Sequence, residues 1–112
     1  MLNEDMVAII QQANLAFAAT KNKDGTPNLS PKSTLRPWND SHLIFANLAS
    51  PGTVSNLKRD PEIEINCVDV FSRRGYRFAG IASIHSSGDP VYEEFCELMA
   101  SELGPATIVH DA

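Results

Sequence analysis

The residues best suited by type and spacing to do chemistry are Ser50-Pro51-Gly52-Thr53-Val54-Ser55-Asn56-Leu57. The stretch follows an apolar run, His42 to Leu48, that reads as a strand, and it opens a helix with Ser50 as N-cap and Pro51 in the first helical position. Such a start presents unpaired backbone N–H groups and the positive end of the helix dipole. Gly52 removes side-chain bulk and Thr53 adds a hydroxyl on the same turn. That combination suits an anion, most naturally a cofactor phosphate. Ser-Pro is also an ordinary helix start, and Gly52 can serve close packing alone, so the segment needs support from the rest of the chain.

Other polar residues sort by their neighbours. Lys32 sits among Ser, Pro and Thr, where a compact ammonium fits a phosphate and a solvated strand lysine fits equally. Arg73, Arg74 and Arg77 form the densest basic cluster, suited to an anion or to an ion pair across a dimer. Trp38, beside a turn, reads as a packing lid rather than a ring-stacking platform. His42, His85 and His110 have no metal-site spacing and read as surface or structural histidines. Ser30, Ser33, Ser50 and Ser55 lack a Gly-x-Ser-x-Gly elbow, and no histidine stands in a recognisable relation to them, which argues against a hydrolase. Glu93, Glu94 and Glu97 fall on the polar face of the last helix.

The elements that must position these residues follow from periodicity. Asn3 caps a helix over 4–12 carrying Met6, Ile10 and Ala13 on one stripe, and Asn14 ends it. Residues 15–21 read as a strand with Leu15, Phe17 and Ala19 on one face. Lys23-Asp24-Gly25-Thr26 is a hairpin turn, and 27–36 the returning strand, marked by Pro31 as an edge or bulged element. Pro37 to Ser41 reads as a second turn. The helix from Ser50 stops before Pro61 with Val54 and Leu57 inward. Residues 62–67 alternate as a half-buried strand, and the broken phase at Val68 predicts a bulge or burial on both faces. A polar connection over 71–75 precedes a strand over 76–86; Asp89-Pro90 caps a last helix closed by Gly104-Pro105, and 106–110 is a final short strand. About six strands clustered in hairpins, with three helices, predict an antiparallel barrel or strongly curved sheet with helices outside.

Bulk properties bound the function. With 112 residues the chain predicts one domain, and a sheet protein this small often gains buried area by dimerising. Nine Lys and Arg against fourteen Asp and Glu, for a net charge of −5, argue against nucleic acid. The acidic start, Met1 to Asp5, lacks a signal-peptide pattern and no apolar run has membrane-span length, so the expected location is the cytoplasm. Cys67 and Cys96, each in an apolar-periodic segment, read as small buried hydrophobes.

Three segments together resemble the FMN-binding split-barrel family of pyridoxamine phosphate oxidase, in particular its small flavin-nucleotide-binding members: Asp24 to Lys32, Ser50 to Leu57, and Arg73 to Gly80. The resemblance runs from about Met6 to the final helix. It implies a mainly β split barrel with flanking helices, and a homodimer with FMN in clefts between subunits. It implies phosphate contacts from the strand carrying Ser30, Lys32 and Ser33 and from the turn at Ser50, Gly52 and Thr53. Ser33 and Asn47, Leu48 and Ala49 are implied to line the flavin, Asn56 matches a position one turn further along, and Arg74 and Tyr76 close the site from the partner. The resemblance implies a flavin-dependent oxidoreductase; a non-catalytic flavin carrier or sensor, a barrel for a deazaflavin or pyridoxal phosphate, and a structural dimerisation domain remain alternatives. The better-known oxidases carry Arg-Lys where this chain has Pro51-Gly52, and this sequence has no counterpart of their substrate-binding C-terminal segment. A relative of the oxidases is therefore expected, rather than pyridoxamine phosphate oxidation itself, with positive charge supplied by Lys32 and Arg74.

Overall fold

The structure is a computed structural model that describes residues 1–13, 15–46 and 51–103, with side chains as far as Met99. The element order is α1 (Glu4–Ala13), β1 (Ala16–Lys21), β2 (Pro27–Lys32), β3 (Arg36–Asn39), β4 (His42–Ile44), α2 (Pro51–Arg59), β5 (Glu62–Asp69), β6 (Arg74–Ile81) and α3 (Pro90–Leu103). The architecture is mainly β with three helices, and every strand pair is antiparallel. A four-stranded sheet runs β2-β1-β5-β6, and β3-β4 form a separate ribbon. Among the described residues the strands do not close into a barrel. No described helix is long and apolar enough to cross a membrane.

Local signals act where they were read. The Asn3 side chain accepts from the Met6 N–H at 2.9 Å and caps α1. Ile9 and Ile10 of α1 are buried against the sheet with Ala16, Ala18, Ile65 and Cys67. Burial of each isoleucine contributes about 1.5–3 kcal/mol. Asp24 Oδ1 accepts from the Thr26 N–H at 3.0 Å and closes the first hairpin. Pro31 lies on β2, which is an edge strand, and its pairing with β1 is unbroken, so the edge expectation holds and no bulge forms.

Other expectations are corrected. Leu15, Phe17 and Ala19 do not line the core; Ala16, Ala18 and Thr20 do, while Leu15 and Phe17 face outward. The inner face lies under α1 and α2, and small residues let the helices approach. Pro37 to Asn39 are strand rather than turn, because Arg36 pairs with Ile44 and Pro37 with Leu43. Val68 makes no bulge and is not buried on both faces: it pairs in register with Gly75 on the outer face and is exposed. Arg74 and Gly75 belong to β6, and β6 ends at Ile81 rather than near Ser86. Asn14, the Gly104-Pro105 stop and the strand expected over 106–110 lie outside the described residues.

Candidate functional site

Alternation on β2 turns Ser30 and Lys32 to the inner face, opposite Ala18 and Ala16 of β1. Lys32 is only 5% exposed, and Ser30 is also buried. The Lys32 ammonium lies 5.8 Å from the centre of the Phe45 ring, a cation–π distance. Burial pushes its pKa down, since a desolvated ammonium is disfavoured against the neutral amine. The inner-face pattern continues to Thr34, whose hydroxyl accepts from the Ala46 N–H at 2.9 Å and faces the Ala46 carbonyl at 3.3 Å. The chain immediately before residues 47–50 is thereby pinned beside the end of β2.

α2 begins at Pro51, whose missing N–H costs nothing in a first turn. Among the described residues nothing lies within 4 Å of a Cβ built on Gly52. Thr53 is 2% exposed, and its Oγ1 has no hydrogen-bond partner among the described residues. A buried hydroxyl left unpaired costs about 1–3 kcal/mol. The first turn has no acidic residue, and Lys58 and Arg59 occupy the last turn, so the positive end of the helix is uncompensated from within and the negative end is matched. The anchor of α2 lies one turn on: Asn56 Nδ2 donates to Thr20 Oγ1 at 3.1 Å and to Asn22 Oδ1 at 3.0 Å. Arg59 donates to Asn56 Oδ1 at 3.3 Å and also to the Lys21 carbonyl. Asn56 thus ties the helix to β1 and aims the first turn.

Arg74 and Tyr76 stand elsewhere. Both donate to Asp5 Oδ2, joining β6 to the start of α1. The Arg74 guanidinium, then the Tyr76 hydroxyl, hold the Asp5 carboxyl below its usual range. The same bond to Asp5, with burial second, raises the Tyr76 phenol. Lys21 holds Asp60 down in the same way, and His85 does so for Asp89. Since the folded-state pKa of Asp5, Asp60 and Asp89 lies below the reference of 3.8, the stability they contribute is present above that pH and lost as pH falls through the folded values. The urea midpoint is therefore expected to fall steadily below about pH 4. Asp5→Asn should flatten part of that fall; a midpoint equally pH-dependent in the variant removes Asp5 from the account.

The expected site residues therefore fall into groups. Lys32 and Ser33 line a cleft of about 250 Å³ with Ile10, Gln11, Arg36 and Cys67. Thr53 opens on a larger cleft of about 1080 Å³ between the sheet and the β3-β4 ribbon, which Phe45 also lines. Phe45 is thus shared between the Lys32 ammonium and the cleft of Thr53. Arg74 and Tyr76 are engaged with α1 of their own chain. Asn47, Leu48, Ala49 and Ser50 lie outside the described residues.

Sequence reasoning missed three features. Arg36 lines the cleft beside Lys32, and its place after a polar strand was the available signal. Cys67 lines the same cleft from within the core, and burial raises its thiol pKa. His85, read as surface or structural, stands between Ser83 and Asp89: its Nε2 is 3.0 Å from Ser83 Oγ and its Nδ1 3.0 Å from Asp89 Oδ2.

The pyridoxamine 5'-phosphate oxidase family profile matches residues 2–110, and the chain belongs to that family. A search of curated proteins finds no match. Among solved structures, HupZ of Group A Streptococcus is 33% identical over 93% of this chain and 82% of its own, with a TM-score of 0.81. A putative pyridoxamine 5'-phosphate oxidase from Lactobacillus delbrueckii is 25% identical over 90% and 78% of the two chains, with a TM-score of 0.72. An FMN-binding protein from Syntrophomonas wolfei, 16% identical over 87% and 69% with a TM-score of 0.71, shares the fold. So do an F420 reductase and the heme storage protein HutZ of Vibrio cholerae, at 20% and 18% identity.

Proposed function

We propose that this chain binds FMN and works as a flavin-dependent oxidoreductase on a small molecule. The observation that carries the reading is the buried, unpartnered Thr53 hydroxyl on the first turn of α2. The residues present fit a phosphate there. The N–H groups of Gly52 and Thr53 and the Thr53 hydroxyl would hold its oxygens, with Ser50 assigned beside them. Gly52 leaves room for a phosphate to approach the backbone. Lys32 would balance the charge, its ammonium already desolvated on the strand and seated beside Phe45. When bound, FMN supplies hydride or electron transfer; the protein supplies binding, orientation and exclusion of water.

We further read the four-stranded sheet and the β3-β4 ribbon as parts of a split barrel, and the working unit as a homodimer. The dimer reading rests on the outer sheet face. Leu29, Phe17 and Val68 lie there, 63%, 38% and 42% exposed, with no helix of the described chain over them. A second copy would cover them.

The test is an absorbance spectrum of freshly purified protein, repeated after adding FMN and removing the excess. Retained flavin bands are expected, with an affinity about tenfold weaker in Lys32→Met, as for loss of a positive charge that balances the phosphate. Flavin that stays bound but is reduced by no pyridine nucleotide would leave a carrier or sensor. A heme spectrum, or no retained flavin, overturns the reading.

A further inference from the structure

We propose that Ser83, His85 and Asp89 form a nucleophile–base–orienter relay at the large cleft, and that it cleaves small activated carboxylic esters with an apolar acyl group. The site lies on the irregular segment after β6 and the first residues before α3, on the same large cleft as Thr53, and its chemistry does not depend on the flavin reading.

The geometry sets the roles. Asp89 Oδ1 accepts from the Val91 N–H at 2.8 Å as the N-cap of α3, which fixes the carboxylate and directs Oδ2 at His85 Nδ1, 3.0 Å away. A proton on Nδ1 bound to this carboxylate leaves Nε2 as an acceptor, and Ser83 Oγ stands 3.0 Å from it. These are the separations that let a base take a hydroxyl proton, with the base oriented by a third group. Gly88, at φ 95°, makes the reversal that carries Asp89 back to His85, and the Asp89 N–H closes that turn on the Ser86 carbonyl at 3.0 Å. The His85 hydrogen bond, then the Val91 N–H, keep Asp89 ionised across the neutral range.

The surroundings suit a substrate. Ser83 is exposed, while His85 and Asp89 are one-third to two-fifths exposed, at 33% and 37%. Ser83 and His85 line the cleft with Ile84, Val91 and Phe95, which offer an apolar wall to an acyl chain. The N–H groups of Ile84, His85, Ser86 and Ser87 donate no hydrogen bond to the described protein and are the candidates for an oxyanion donor.

The chemistry balances without a further reagent. Ser83 Oγ bonds to the ester carbonyl carbon as its proton passes to His85 Nε2. The carbon–oxygen bond to the alcohol then breaks, and the alcohol leaves with that proton. Water adds to the acyl-Ser83, passing a proton through His85, and the carboxylic acid departs with Ser83 restored. Ser83 and His85 are the catalytic residues and Asp89 is a positioning residue.

The test uses the full chain with whatever cofactor it holds. 4-Nitrophenyl butyrate hydrolysis is followed, and a fluorophosphonate adduct is mapped by mass spectrometry. Wild type is expected to carry the adduct on Ser83. Ser83→Ala and His85→Ala are expected to lose about 10²-fold in hydrolysis. Asp89→Asn retains the cap on α3, since asparagine caps as well as aspartate. It is expected to lower kcat about tenfold or more with KM unchanged, which a structural role alone would not do. Equal hydrolysis by wild type and Ser83→Ala, or an adduct found only on other residues, overturns the proposal. Ser83 is exposed, so its alanine variant keeps the fold and the comparison stays decisive.

Discussion

Gly75→Val is expected to remove about 3 kcal/mol or more of folding stability, a large part of the 5–15 kcal/mol typical of a domain. Gly75 pairs with Val68 across the β5-β6 hairpin. A Cβ built there falls 2.4 Å from the Cys67 carbonyl oxygen and 2.9 Å from Val68 Cγ2. The first of these atoms is backbone and cannot turn aside. Its own residue, Cys67, is 1% exposed and packed under α1, so relief of the clash must displace the core or break the ladder. Arg73, at φ 58°, already holds the turn in a left-handed conformation, which limits adjustment from that side. Gly80→Ala is the control, because a Cβ at Gly80 meets nothing within 4 Å. Urea unfolding followed by Trp38 fluorescence separates the two. A Gly75→Val midpoint matching that of Gly80→Ala would remove the steric account.

Thr53→Val is expected to move two quantities in opposite directions. Free of ligand, the protein should gain about 1 kcal/mol, because the variant replaces a buried, unpaired hydroxyl with a methyl of nearly the same shape. FMN affinity should fall about 10- to 100-fold, since a hydrogen bond to a charged phosphate contributes about 1.5–3 kcal/mol. A purely structural helix start predicts the first change without the second. Titration of the apo protein with FMN, beside urea unfolding of both forms, reads the two quantities independently. Unchanged affinity together with higher stability would move the phosphate away from α2. Lower stability with unchanged affinity would mean that the hydroxyl serves the fold alone.

The nearest parts of the site to the sequence are those governed by adjacent residues. Pro51 and Gly52 specify a helix start, and the structure begins α2 at Pro51. Asn56 is different. The resemblance placed it among the cofactor-binding residues; its amide spans to Thr20 and Asn22, more than thirty positions away in sequence, and ties the helix down. Arg74 illustrates the same limit. A basic cluster is visible in the chain, but its pairing with Asp5 depends on α1 crossing the end of β6. For Ser83, His85 and Asp89 the residues are close in sequence, yet only the turn at Gly88 brings the carboxylate and the hydroxyl to opposite nitrogens of one ring.

The sequence by itself determined the helix caps at Asn3 and Asp89, the Asp24-Gly25 hairpin, the edge position of Pro31 and the start of α2 at Pro51. Each depends on sterics and hydrogen bonds within a few residues, which the local chain encodes. The tertiary structure alone decided which face of β1 is buried, that Pro37 to Asn39 extend as a strand, and that Lys32 is desolvated while Phe17 is exposed. In a strand of period two either face satisfies the local pattern. The choice falls to whichever face the helices cover, and here Ala16 and Ala18 admit α1 and α2 at a distance that Leu15 and Phe17 would not.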